Sequence, residues 1–146
     1  MRAPVKTKKT TQPSEPQLIA AAQAAREQAL ATYSGFKVGA ALLTTDGKMY
    51  TGCNIETVTF RSICAERVAL FKALSEGNRE FAAAAVVTDA VRLTPPCGTC
   101  RQLLWEFCGD IRVTLANLSG DQVTYQLSAL LPMPFDKSWL APSNEK

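Results

Sequence analysis

The sequence predicts a single α/β domain, a mixed sheet of about five strands flanked by helices. Three observations carry that expectation. The first hundred residues open with an Ala-rich helical stretch, followed by two strand-type runs joined through Asp46-Gly47. Beyond Ser62, helix-type and strand-type stretches alternate, which implies parallel strands joined by crossover helices, with the antiparallel hairpin ahead of them. The chain has 146 residues, the length of one domain with a real core, and no internal repeat is visible.

Each element has its own justification. Leu18, Ile19, Ala22, Ala25, Ala29 and Leu30 recur at helical spacing, so a helix is expected over 17–32, broken by Tyr33-Ser34-Gly35. Residues 36–43 read as a buried strand and 48–53 as its hairpin partner, because Asp-Gly favours a tight turn. Residues 54–62 have no clean period and read as a loop. A helix over 64–75 should end near Gly77. The apolar run 81–88 has strand length; Thr94-Pro95-Pro96 is a rigid stop; 98–107 is a second short helix. Strands over 111–116 and 122–125 flank a Ser119-Gly120-Asp121 turn, a helical turn covers 128–131, and Pro132 and Pro134 direct an irregular tail.

Charge and composition exclude several functions. The chain carries a net charge of +3, and residues 1–16, with Arg2, Lys6, Lys8 and Lys9 against Glu15, account for all of it. The body therefore has no basic footprint for nucleic acid, and the Lys, Thr and Pro content of 1–16 reads as a disordered tail ahead of a catalytic domain over 17–146. No apolar run is long enough for a membrane span or a signal peptide. Five cysteines, an odd number, suit a reducing, cytoplasmic setting with metal or core roles. There is no histidine, so Ser-His-Asp, Cys-His and H-E-x-x-H chemistries cannot be built from one chain.

What remains is sulfur and carboxylate. Cys64-Ala65-Glu66-Arg67 and Pro96-Cys97-Gly98-Thr99-Cys100 offer three thiols and one placed carboxylate. A catalytic zinc takes three protein ligands and keeps its fourth position open. Both cysteine groups fall at predicted helix starts, where free N–H groups and the helix dipole stabilise thiolates. Three thiolates on Zn²⁺ leave one net negative charge, and Arg67 could drain it by donating to the sulfurs; otherwise Arg67 is a solvated helix residue. By itself the C-x-x-C pair also suits a redox dithiol or half of a structural zinc site. Cys53 or Cys108 could supply a fourth thiolate and close the site, or be plain core thiols. With Cys64 and Glu66 added, the set is similar to the signature of zinc nucleobase deaminases, in which a glutamate that does not bind the metal moves the protons.

The chain resembles the small homotetrameric cytidine deaminases from about Tyr33 to Leu140. The densest matches are Tyr33–Leu42 (YSGFKVGAAL), Gly52–Glu56 (GCNIE), Cys64–Arg67, Pro96–Gln102 (PCGTCRQ), and Leu130-Leu131-Pro132 with Phe135. The resemblance implies that Cys64, Cys97 and Cys100 bind one Zn²⁺ per chain and that Glu66 is the proton shuttle. It implies hydrolytic deamination of cytidine and deoxycytidine to uridine and deoxyuridine, in pyrimidine salvage, by a hydroxide formed at zinc. Asn54 and Glu56 would hold the ribose hydroxyls, and their i, i+2 spacing on an extended segment does point both side chains one way. The alternative for that pair is a turn Asn and a surface Glu. The backbone of Ala65 would help orient the base. Phe36, which spacing alone would place in the core, would lie against the pyrimidine, and Phe135 would come from a neighbouring subunit of a homotetramer with shared sites.

The chain departs from that family beside the sugar and the subunit seam. The loop 57–63 is one residue shorter than usual, Thr57 replaces an Asn, and Phe60 stands where Tyr is common. These differences bear on substrate preference. The competing activities are deamination of a modified cytosine nucleoside (N4-substituted or blasticidin-type), a closed structural zinc module, and polynucleotide editing. Glu56 speaks against the blasticidin-type reading, which needs no diol pair.

Overall fold

The computed structural model describes residues 11–140. Helix α1 (Glu15–Arg26) starts behind an N-cap at Ser14, whose side chain and that of Gln17 satisfy each other's backbone N–H in a capping box. The last two residues assigned to the tail, Glu15 and Pro16, therefore belong to the folded body; residues 1–10 lie outside the described part. Strands β1 (Val38–Thr44) and β2 (Met49–Cys53) form the expected hairpin. Helix α2 (Ala65–Ser75), strand β3 (Phe81–Thr88), helix α3 (Gly98–Cys108) and strand β4 (Arg112–Asn117) follow in alternation. Strand β5 (Gln122–Gln126) and the short helix α4 (Leu127–Leu130) complete the domain, with a 3-10 turn at Lys137–Leu140 in the stretch expected to be irregular.

The five strands make one mixed sheet in the order β2-β1-β3-β4-β5. β1 is antiparallel to both its neighbours, β3 and β4 are parallel, and β5 returns antiparallel to β4. Thus β2, β3 and β4 share one direction, and α2 and α3 are the crossovers between them. Side chains alternate across the sheet, as the pleat requires. Leu42, Ala84, Val86, Val113 and Leu115 face α2 and α3. Ala41, Leu43, Ala83, Ala85, Val87 and Ala116 face α1. The second set is mostly alanine, which lets α1 lie close against the strands. Among the described residues no helix is long and apolar enough to cross a membrane.

One expected element is too long. The helix predicted to reach Thr32 ends at Arg26. Gln28 N–H and Ala29 N–H still make tight bonds to Ala25 and Arg26, but Leu30 is captured elsewhere: its N–H donates to Asn54 O at 3.0 Å, and its carbonyl accepts from Glu56 N–H at 2.8 Å. Pairing with a distant segment outweighs helix propensity, which is only a weak preference. The result serves the site, because residues 54–56 are thereby held between Leu30 and Ile63.

Candidate metal and nucleoside site

Two glycines bring helices down onto the sheet. A Cβ on Gly52 would stand 2.3 Å from Ala65 O and 2.7 Å from Ala69 N, so β2 touches the first turn of α2. On the opposite face, a Cβ on Gly39 would meet Ala22 O at 1.9 Å. The start of α2 therefore sits directly over the end of β2. Strand carboxyl ends facing helix N-termini are the usual ligand site of such a sheet.

Cysteines occupy both helix N-caps. Cys64 caps α2 and Cys97 caps α3, each with extended backbone and neither side chain making a capping bond to its helix's backbone. Cys100 lies in the first turn of α3 and is fully buried. The three Sγ atoms lie within 4.8 Å of one another, and those of Cys64 and Cys97 are 3.8 Å apart. Zn–S bonds of about 2.3 Å at tetrahedral angles separate sulfurs by about 3.8 Å, so this donor set fits zinc as it stands. Soft sulfur donors favour such an ion over calcium or magnesium. Cys53 and Cys108 do not join the group among the described residues.

Electrostatics agree with that arrangement. A hydrogen bond from Cys100, aided by Arg67, pulls the Cys64 thiol down to about 5. The same bond, with burial, pushes Cys100 up. Arg67 Nη2 donates to Cys64 Sγ at 3.5 Å and to Ser62 O at 3.2 Å, where charge balance expects it. Its Nε is buried without a partner. Glu66 is only 7% exposed, and burial raises its carboxyl to about 7.

A cavity of about 400 Å³ adjoins the cluster, within the usual range for small-ligand sites. Phe36, Asn54, Glu56, Cys64, Ala65, Glu66 and Cys97 all line it. Phe36 is more than a third exposed, at the cavity rather than in the core. Asn54 Oδ1 accepts Val38 N–H and its Nδ2 donates to Phe36 O, both at 2.8 Å. One Nδ2 proton remains free. Phe135 does not line its own chain's cavity; the residue is 57% exposed, and its backbone is gripped at both N–H and C=O by the Gln102 amide.

Some lining residues escaped the sequence. Ser34, Val38, Ser62, Ile63, Val86, Thr94 and Pro95 also face the cavity. A serine at i−2 from Phe36 could have signalled a hydroxyl turn, since Phe36 N–H does donate to Ser34 Oγ at 3.0 Å. No local pattern could show its partner Glu56, 22 residues on. In the loop 57–63, Phe60 sits at φ 55, is 83% exposed and packs its ring against Tyr33 at 5.8 Å.

The comparisons with known proteins point the same way. The pattern that defines the cytidine and deoxycytidylate deaminase zinc-binding region matches residues 13–116. The cytidine deaminase of Sporosarcina psychrophila is 50% identical over 131 residues, covering 88% of this chain and 96% of the relative. That of Halalkalibacterium halodurans is 52% identical over 120 residues, covering 81% and 91%. The crystal structure of cytidine deaminase from Burkholderia pseudomallei superposes with a TM-score of 0.82 at 47% identity, covering 84% of this chain and all of that one. With three convergent thiols, a buried glutamate and a nucleoside-sized cavity already in place, this chain belongs to the zinc-binding cytidine and deoxycytidylate deaminase family.

Proposed function

We propose that the chain hydrolyses the exocyclic amine from cytidine and deoxycytidine, releasing ammonia and giving uridine and deoxyuridine. One observation carries the reading: three thiol sulfurs are spaced for a single ion, and two of them, those of Cys64 and Cys97, share a cavity wall with a buried carboxyl poised near neutrality. Cys64, Cys97 and Cys100 are the residues that would hold one zinc per chain. When bound, zinc supplies a Lewis acid that brings the ionisation of a water near neutral pH.

The remaining work falls to side chains. Glu66 takes one proton from the attacking water and gives it to ring N3, then takes the second from the hydroxyl now on C4 and gives it to the amine, which leaves as ammonia. A carboxyl near pH 7 suits both directions of transfer, since a shuttle works best when its pKa lies near the working pH. Arg67 draws charge from the Cys64 sulfur, offsetting the negative charge that three thiolates leave. Phe36 supplies a flat apolar face for the pyrimidine, the Ala65 backbone orients the base, and Asn54 and Glu56 take the sugar hydroxyls. The spare Nδ2 proton of Asn54 is available to an oxygen of the sugar.

Phe135 is the residue we assign to a neighbour's site in a homotetramer. Its exposure, its absence from its own cavity and the Gln102 clamp on its backbone support that role. We place the enzyme in pyrimidine salvage in the cytoplasm, a setting that suits five unpaired cysteines. The test is loss of the cytidine ultraviolet band with zinc per chain measured on the same sample, extended to deoxycytidine, free cytosine and blasticidin. Turnover of both nucleosides with one zinc per chain is expected. Zinc-loaded protein that spares cytidine but consumes a modified cytosine would replace this reading with the modified-nucleoside one.

A further inference from the structure

The carboxylate assigned to the sugar is not free to choose its orientation. Ser34 N–H donates to both oxygens of Glu56, each at 3.2 Å, and Ser34 Oγ–H donates to Oε1 at 2.6 Å. The same hydroxyl accepts Phe36 N–H at 3.0 Å. Ser34 therefore stands between the two recognition elements, holding the acid on one side and the aromatic residue's backbone on the other. Gly35, at φ 69, makes the tight link between them, and Glu56 is held from behind by its N–H bond to Leu30 O. Oε1 receives two donors and Oε2 only the shared N–H. Since each carboxylate oxygen has two acceptor positions, Oε2 is the one left for a sugar hydroxyl.

We propose that Ser34 is a positioning residue for sugar recognition: its N–H and hydroxyl lock the Glu56 carboxylate in one orientation, present Oε2 to the sugar, and fix that oxygen relative to Phe36. The proposal rests on Glu56 being the sugar acceptor. It predicts that Ser34 acts on substrate binding through Glu56, not on the hydrolytic step and not on the stability of the fold. A preorganised acceptor contributes affinity because its ordering cost is met before the ligand arrives.

The test is steady-state kinetics of the zinc-loaded enzyme on cytidine and on 2′,3′-dideoxycytidine, for wild type, Ser34→Ala, Ser34→Thr, Glu56→Ala and the Ser34→Ala/Glu56→Ala double variant. Ser34→Ala should raise KM for cytidine by roughly tenfold, the lower end for a hydrogen bond involving a charged group, and leave kcat within about twofold. Ser34→Thr, which keeps the hydroxyl, should recover most of the loss. On dideoxycytidine, and in the Glu56→Ala background, Ser34→Ala should do nothing further. An undiminished Ser34→Ala effect in either setting, or one on kcat alone, would make Ser34 an ordinary turn residue. Should Glu56→Ala erase the preference for cytidine over the dideoxy compound while Ser34→Ala leaves KM unchanged, Ser34 alone is ruled out. If Glu56→Ala keeps that preference, the sugar role of Glu56 fails and the proposal with it.

Discussion

At residue scale, Glu66 stands second in α2, two positions beyond Cys64, and is buried there. Burial is the largest influence on its carboxyl and brings it to about 7. Glu66→Gln keeps the shape and removes the proton traffic. The zinc content should be unchanged and kcat on cytidine should fall by at least ~10²–10⁴-fold. A variant retaining a tenth of the wild-type rate would take Glu66 out of the chemistry. Arg67 acts one step further out. Arg67→Ala removes the donor to Cys64 Sγ and should lower zinc affinity or kcat roughly 10–100-fold, as loss of a group bonded to a ligand commonly does. Competition with a chelator, read beside the rate, separates the two effects; no change in either would reduce Arg67 to a surface cation.

Elements place those residues, and here two contacts can be tested. Gly52→Ala would push a Cβ into Ala65 O and lift the first turn of α2. Overpacking of this kind costs about 1–3 kcal/mol. The melting temperature should drop, and zinc should bind less tightly because α2 carries Cys64; full zinc affinity would show that the helix start is not held by this contact. Helix α1 is tied to the far side of the sheet by Glu15, whose carboxylate accepts from Thr124 and Thr114. Those bonds, that of Thr124 foremost, hold its pKa below the ordinary 4.5. A lowered folded pKa contributes stability that is complete above about pH 4.5 and is lost as pH falls through the folded value. Glu15→Gln should therefore lower Tm by about 1–2 °C at neutral pH, a small effect for a group largely open to solvent, and the gap should close as pH falls from 4.5 through the lowered folded value. A gap that does not change with pH would mean that the charge is irrelevant. The sequence was informative about such elements where one period dominated. Strand β3 runs over Phe81–Thr88 as its apolar run predicts. It misled at the end of α1, because the bonds that capture Leu30 come from residues 54 and 56, more than twenty positions away. The metal cluster was legible because its residue types are rare and their spacing is fixed by helix starts. The Ser34–Glu56 lock was not, since serine and glutamate in loops are common and only the folded chain brings them together.

On the scale of the whole molecule, the described chain leaves Phe135 outside its own cavity, so the assembly proposed above makes a prediction in trans. Phe135→Ala tetramers and Glu66→Ala tetramers should each be poor catalysts. Hybrids made by coexpression should regain activity, because sites with an intact Glu66 can take Phe135 from the other variant. Hybrids no better than the parents would deny the shared site. All of this presupposes one metal centre held by three sulfurs. The measurement that tests it most directly is X-ray absorption at the zinc edge of the purified enzyme. Three sulfur neighbours at about 2.3 Å and one oxygen or nitrogen near 2.0 Å are expected. Four sulfurs, or an active protein without zinc, would contradict the account.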